Sequence, residues 1–146
     1  MKITELTTYQ TIITQARANR VLKSRTSYFL RSYNITMMQW AIIGSLSAGG
    51  KDGMRVSDLA HQLDTSLAFI TTTLNVLEAK NIVSRASHEQ DNRAKIVHLT
   101  PEFEPKVAAI EKELGKKMCD WLIPAIGEDD LLTCIQVLGK ISTATV

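Results

Sequence analysis

Long apolar runs are missing from this 146-residue chain. No stretch approaches the ~18 consecutive apolar residues that cross a bilayer, so a transmembrane helix and a membrane partner are excluded. Cysteine is scarce: only Cys119 and Cys134 occur, with no C-x-x-C pair. The three histidines, His61, His88 and His98, do not stand at metal-ligand spacing from either cysteine, which argues against a structural zinc site. Residues 1–5 carry an acid early and no apolar segment follows, so the N-terminus does not read as a signal peptide. The expected location is therefore the cytoplasm, where a standing disulfide is not expected. No nucleophile–base pair, phosphate loop or carboxylate pair stands out, so an enzymatic reading has no residues behind it, and neither cofactor nor metal is expected.

What remains is an ordinary globular composition, 45% hydrophobic and 22% charged, which excludes disorder along the whole chain. The length suits one domain, or one subunit of a small oligomer. Net charge is only +2, but it is unevenly placed. Residues 1–100 hold 12 Lys/Arg against 7 Asp/Glu, and residues 101–146 hold 5 against 8. A basic front with an acidic tail points the front toward a polyanion.

Periodicity divides the chain into helices and one hairpin. Residues 3–33 read as a long helix uninterrupted by Gly or Pro, with Leu6, Tyr9, Ile12, Ile13 and Ala16 at three-to-four spacing. A helix of that length must bury a stripe, and a partner subunit is a natural place. Thr36-Met37-Met38-Gln39 has the form of a capping box ahead of Trp40, Ile42, Ile43 and Leu46. That helix is predicted to end near Ser47, before Gly49-Gly50. Arg55-Val56 reads as a minimal strand and Ser57 as the cap of a short helix to Leu63. Ser66 caps the next helix, which runs to about Lys80 with Ile70, Thr73, Leu74 and Leu77 on one face, and Asn81 suits a left-handed exit. Residues 82–87 and 95–99 read as strands around the polar stretch 88–92, giving a β-hairpin. Thr100-Pro101-Glu102 is predicted to restart helix, with Val107, Ile110, Leu114, Met118, Trp121 and Leu122 as its buried stripe, stopping at Pro124. A last helix opens at Gly127 with acids in its first turn. The fold class is thus mainly α with a small β-hairpin: a helix-turn-helix with a wing.

The second helix of that unit decides what it can do. With Ile70, Leu74 and Leu77 inward, about 100° per residue puts Ala68, Thr72 and Asn75 outward, Thr71 on the flank and Thr65 ahead of the first turn. A solvated face usually carries Lys and Glu. This one holds neither until Glu78 and Lys80. Small side chains let a helix sink into the major groove, and Thr and Asn can bond base edges. The hairpin adds Asp91-Asn92-Arg93 at its tip. An isolated D-x-R reads as a turn Asp and a solvated Arg. After a helix-turn-helix it reads as a guanidinium held extended by Asp91 for a narrow minor groove. Arg85 and Lys95 flank it for phosphates, and His88 reads either as a phosphate contact when charged or as a solvated histidine.

Leu77-Glu78-Ala79-Lys80-Asn81-Ile82-Val83-Ser84-Arg85 resembles the L-E-x-K-G-L-I-x-R run of the MarR family of winged-helix regulators. Asp91 to Thr100 resembles that family's wing, D-x-R-x-x-x-V-x-L-T. Ile35-Thr36-Met37-Met38-Gln39 is similar to the L-T-x-x-Q that starts its second helix, and Val56-Ser57-Asp58-Leu59-Ala60 to the start of its third. The likeness spans roughly residues 35–102. It implies one domain over 1–146: a DNA-binding part at 35–100, with residues 1–34 and 101–146 as dimerisation helices. It also implies a homodimer in which each recognition helix and wing read half of a near-palindromic site on double-stranded DNA. Many members release DNA on binding a small aromatic effector or on cysteine oxidation. The sequence departs from the pattern at Asn92 for a second Arg, Asn81 for Gly, Thr72 for Arg or Lys, and Phe103 for Gly, which implies modest affinity or more indirect readout.

Two alternatives stand beside this reading. The uncharged recognition face and the missing wing arginine also fit a winged-helix protein-interaction module. Met37, Met38 and Trp40 either line an effector pocket or are core. Cys119 and Cys134 are read as packing residues, because a reactive thiol needs an electropositive, partly exposed setting and, in redox-sensing relatives, lies near the N-terminus.

Overall fold

The computed structural model describes residues 8–88 and 91–144; for residues 87–88 and 91–94 the backbone alone is described. Helix α1 (Thr8–Leu30) ends in a 3-10 turn, Arg31–Tyr33. Asn34 then turns left-handed at φ 54°, with its N–H on the Arg31 carbonyl. The capping box forms as read: the Gln39 N–H donates to Thr36 Oγ1 at 3.3 Å, and the Thr36 N–H donates to Gln39 Oε1 at 3.1 Å. It opens α2 (Met37–Gly49), two residues longer than expected. Ile42, Ile43 and Leu46 of α2 are buried, as are Leu30 and Ile35.

After the 3-10 turn Gly50–Asp52 come β1 (Met54–Arg55), α3 (Val56–Gln62) and α4 (Leu67–Ala79). The expected Ser57 cap is not used. Arg55 occupies the capping position with extended backbone and no side-chain bond, because its pairing with Ile96 ends the strand one residue before the helix starts. Ser66 does cap α4, accepting the Phe69 N–H at 3.1 Å. Ile70, Thr73, Leu74 and Leu77 are all buried, as the spacing predicts.

Asn81 leaves α4 at φ 56° and feeds β2 (Val83–His88). β3 (Asp91–Leu99) is the central strand of an antiparallel sheet in the order β1-β3-β2. Only residues 89–90 separate the two long strands, so the polar stretch read as a turn is mostly strand. Ser87 pairs with Lys95 and His88 with Asp91, so residues 92–94 form a bulge on β3. Thr100 is not a helix cap. Its buried hydroxyl donates to the Asn81 carbonyl at 2.8 Å, tying the end of the hairpin to the end of α4. Helix α5 (Glu104–Ile126) therefore starts later than the Thr-Pro-Glu signal implies.

The described chain falls into two units, 1–109 and 110–146. The second contains most of α5 and all of α6 (Glu128–Ser142). Pro124 lies inside α5 and does not stop it. Gly127 does, at φ 84°, donating its N–H to the Ile123 carbonyl at 2.8 Å. Among the described residues no helix is long and apolar enough to cross a membrane.

Candidate nucleic-acid interface

The first unit presents α4 beside the sheet, with α3 leading into it across the tight turn at Asp64, Thr65 and Ser66. Asp64 is left-handed at φ 47°, and the Thr65 N–H donates to the Ala60 carbonyl. Thr65 is half-buried, whereas Ala68, Thr71, Thr72 and Asn75 are exposed on the outer face of α4. Thr71 and Thr72 each donate their hydroxyl to a carbonyl one turn back, Leu67 at 2.8 Å and Ala68 at 3.0 Å. Their hydrogens are thereby occupied, and their oxygens remain as outward acceptors. Leu67 and Phe69 are exposed on the same helix, 55% and 48% accessible.

Arg85 does not stand free for phosphate. Its guanidinium reaches from β2 to α4, where one nitrogen donates to both the Glu78 carboxylate and Asn75 Oδ1. The side chain keeps only 16% of its surface accessible. The Arg85 hydrogen bond and charge hold the Glu78 carboxyl below its ordinary range against a smaller opposing effect of burial. The same bond to Glu78 pushes the guanidinium further up.

Lys95 is exposed on β3. It lines a cavity of about 360 Å³ with Arg55, Val56 and Ser57 at the start of α3, Leu67 and Thr71 on α4, and Arg85. Arg55 is a cavity-lining cation that the sequence reading missed. It was read only as strand, and its place beside Lys95 comes from the pairing of β1 with β3. A second cavity is bounded by Glu78, Arg85, Ala86 and Lys95. The arrangement is a concave surface between α3, α4 and the sheet, with cations at its rim and small neutral side chains on the projecting helix. The side chains of His88, Asp91 and Arg93 lie outside the described residues; their backbone places them at the far end of the hairpin.

Met37, Met38 and Trp40 are all half-buried at the start of α2, and neither cavity is lined by them. Cys119 and Cys134 are both exposed on the chain, so the packing reading of these thiols is corrected. The reason is that α6, where Cys134 sits, has no fully buried residue at all.

Two tightly joined helices followed at once by an antiparallel hairpin, with a third strand ahead of them, define a winged helix-turn-helix. Residues 35–95 match the MarR family model. The chain is also similar to solved structures over nearly its whole length. The transcriptional repressor CouR bound to a 23-mer DNA duplex superposes with TM-score 0.82 at 21% identity, covering 96% of this chain and 94% of that one. The S. aureus MepR–DNA complex gives 0.76 at 21% identity, covering 96% and 100%. AbsC, a MarR family transcriptional regulator from Streptomyces coelicolor, gives 0.77 at 24% identity, covering 94% of each chain. It is the winged helix-turn-helix of this chain, residues 35–95, that the MarR family model matches.

Proposed function

We propose that the protein is a sequence-specific, double-stranded-DNA-binding transcription regulator acting as a homodimer on a near-palindromic site. The observation that carries this is the concave surface: an exposed, small and uncharged face on α4 beside a cavity rimmed by Arg55 and Lys95. Such a helix can enter the major groove while the rim cations meet phosphates. Ala68, Thr71, Thr72 and Asn75 face base edges, and Thr65 lies at the start of the helix. Lys95 and Arg55 hold the backbone, and His88 joins them when charged. Arg93 enters the minor groove with Asp91 directing it. CouR and MepR, whose structures hold DNA, support the reading by likeness of fold.

Residues 1–34 and 101–146 supply the dimer interface, and a small aromatic effector at Met37, Met38 and Trp40 relieves binding. DNA binding measured against salt tests the proposal. A homodimer that neutralises several phosphates loses affinity steeply and linearly in log–log form as salt rises. A folded protein with no affinity for any duplex at low salt would instead favour a protein-interaction module.

A further inference from the structure

Asn75 is exposed on the outer face of α4, yet half of its carboxamide is already engaged. A guanidinium only donates hydrogen bonds, so the bond from Arg85 requires Asn75 to turn Oδ1 inward. The assignment of oxygen and nitrogen in this amide is therefore dictated by its partner. Arg85 is itself anchored by the Glu78 carboxylate and is mostly buried, so the amide cannot rotate without breaking a charge-assisted bond. One lone pair of Oδ1 is thereby occupied, while the NH2 group has no bond to Arg85 and keeps its two donors.

Resting on the DNA-binding reading, we infer that Arg85 is a positioning residue that biases Asn75 toward donating, favouring guanine over adenine in the major groove. Asparagine ordinarily pairs with adenine, accepting from N6 and donating to N7. With Oδ1 already held by Arg85, the first of those two bonds is weakened, because the oxygen is turned toward Arg85 and shares its lone pairs with the guanidinium. Guanine presents two acceptors, O6 and N7, and matches the free NH2. Cytosine presents only a donor and is rejected. Thr71 and Thr72 have the opposite polarity, since their hydroxyl hydrogens are spent on backbone carbonyls. The internal bonds of the unbound protein thus write donor and acceptor positions onto a face that carries no charge.

The test is selection of binding sites by the full-length protein from a pool of duplexes with a randomised core, followed by affinity measurements on matched duplexes. Asn75→Ala identifies the base position that Asn75 reads, because the preference flattens there. At that position the parent protein is expected to favour guanine over adenine on the order of tenfold. Arg85→Met frees Oδ1 and is expected to move the preference toward adenine. Asn75→Asp keeps the Arg85 bond but leaves an outward acceptor, and is expected to replace guanine by cytosine. This surface change does not depend on the fold surviving removal of Arg85. Adenine at the Asn75-dependent position of the parent protein overturns the inference. So does a preference unchanged in Asn75→Asp, or no position flattened by Asn75→Ala. If the folded parent protein enriches no sequence at all, the DNA-binding reading itself falls and the inference with it.

Discussion

Gly53 shows how tightly a single position is bound by its surroundings. It sits at φ 68°, and a β-carbon there would lie 2.5 Å from the Val97 carbonyl oxygen and 2.7 Å from the His98 ring. Gly53→Ala is expected to destabilise the fold by about 1–3 kcal/mol, from the left-handed backbone and the clash together. Urea unfolding measures it, and an unchanged midpoint would sink the argument. Asn81, also left-handed at φ 56°, is a milder case, because Asn tolerates that conformation and its carbonyl holds Thr100. Glu78 supplies a pH signature. Its carboxyl is held below the ordinary value of 4.5, so the pair with Arg85 contributes its stability above that value. The contribution is lost only as pH falls through the depressed value. The pair is partly exposed, so its worth is under ~1 kcal/mol. The stability difference between the parent and Glu78→Gln is expected to be flat from pH 7 to 5 and to shrink below 4.5, as read by thermal melts.

At the scale of the element, the hairpin carries the sharpest expectation. β2 and β3 pair from Val83↔Leu99 outward to His88↔Asp91, with the bulge at 92–94 near the far end. The far end of a protruding hairpin contributes little to a core. Arg93→Ala is therefore expected to leave the fold intact and to weaken DNA binding, lowering the salt slope by about one unit for each phosphate no longer neutralised. Asp91→Ala discriminates further. Removing an acid from a DNA-facing tip should tighten binding by simple electrostatics, whereas removing the group that directs Arg93 should weaken it. Tighter binding by Asp91→Ala, in a gel-shift titration, would reduce Asp91 to a turn residue.

The whole molecule leaves apolar surface uncovered. On α6, Leu132, Ile135, Val137, Leu138 and Ile141 are between 46% and 64% accessible, and on α1 Tyr9 and Ile12 are 71% and 59% accessible. Exposed apolar patches of this extent mark association surfaces. A second copy of the chain is the occupant proposed above, and an obligate interface of this kind buries about 2,000 Å² or more. Light scattering is expected to return twice the 16.2 kDa chain mass. The double substitution Ile135→Asp and Leu138→Asp, which puts two charges on the α6 stripe, is expected to yield monomers or an unfolded chain. A dimer unaffected by both charges would show that α6 is not the interface.

Local signals in the sequence determined most of the elements. The Thr36–Gln39 box, the Ser66 cap, the left-handed Asn81 and the inward row of Ile70, Thr73, Leu74 and Leu77 all act over short stretches of chain, and all are present in the fold. The motifs around Leu77 and Asp91 likewise carry the winged-helix pattern in the sequence itself. What tertiary structure decided is who partners whom across longer separations. Thr100 had every local mark of a cap, yet its hydroxyl goes to Asn81 because the hairpin returns its chain to the end of α4. Arg85 had the marks of a free cation, yet it meets Glu78 and Asn75 because β2 runs back along α4. Arg55 joins Lys95 at the cavity only through the pairing of β1 with β3. Backbone rules bind neighbours in sequence, whereas a side chain bonds whatever the fold carries within reach, and the chemistry offered to a base edge is decided by that second step.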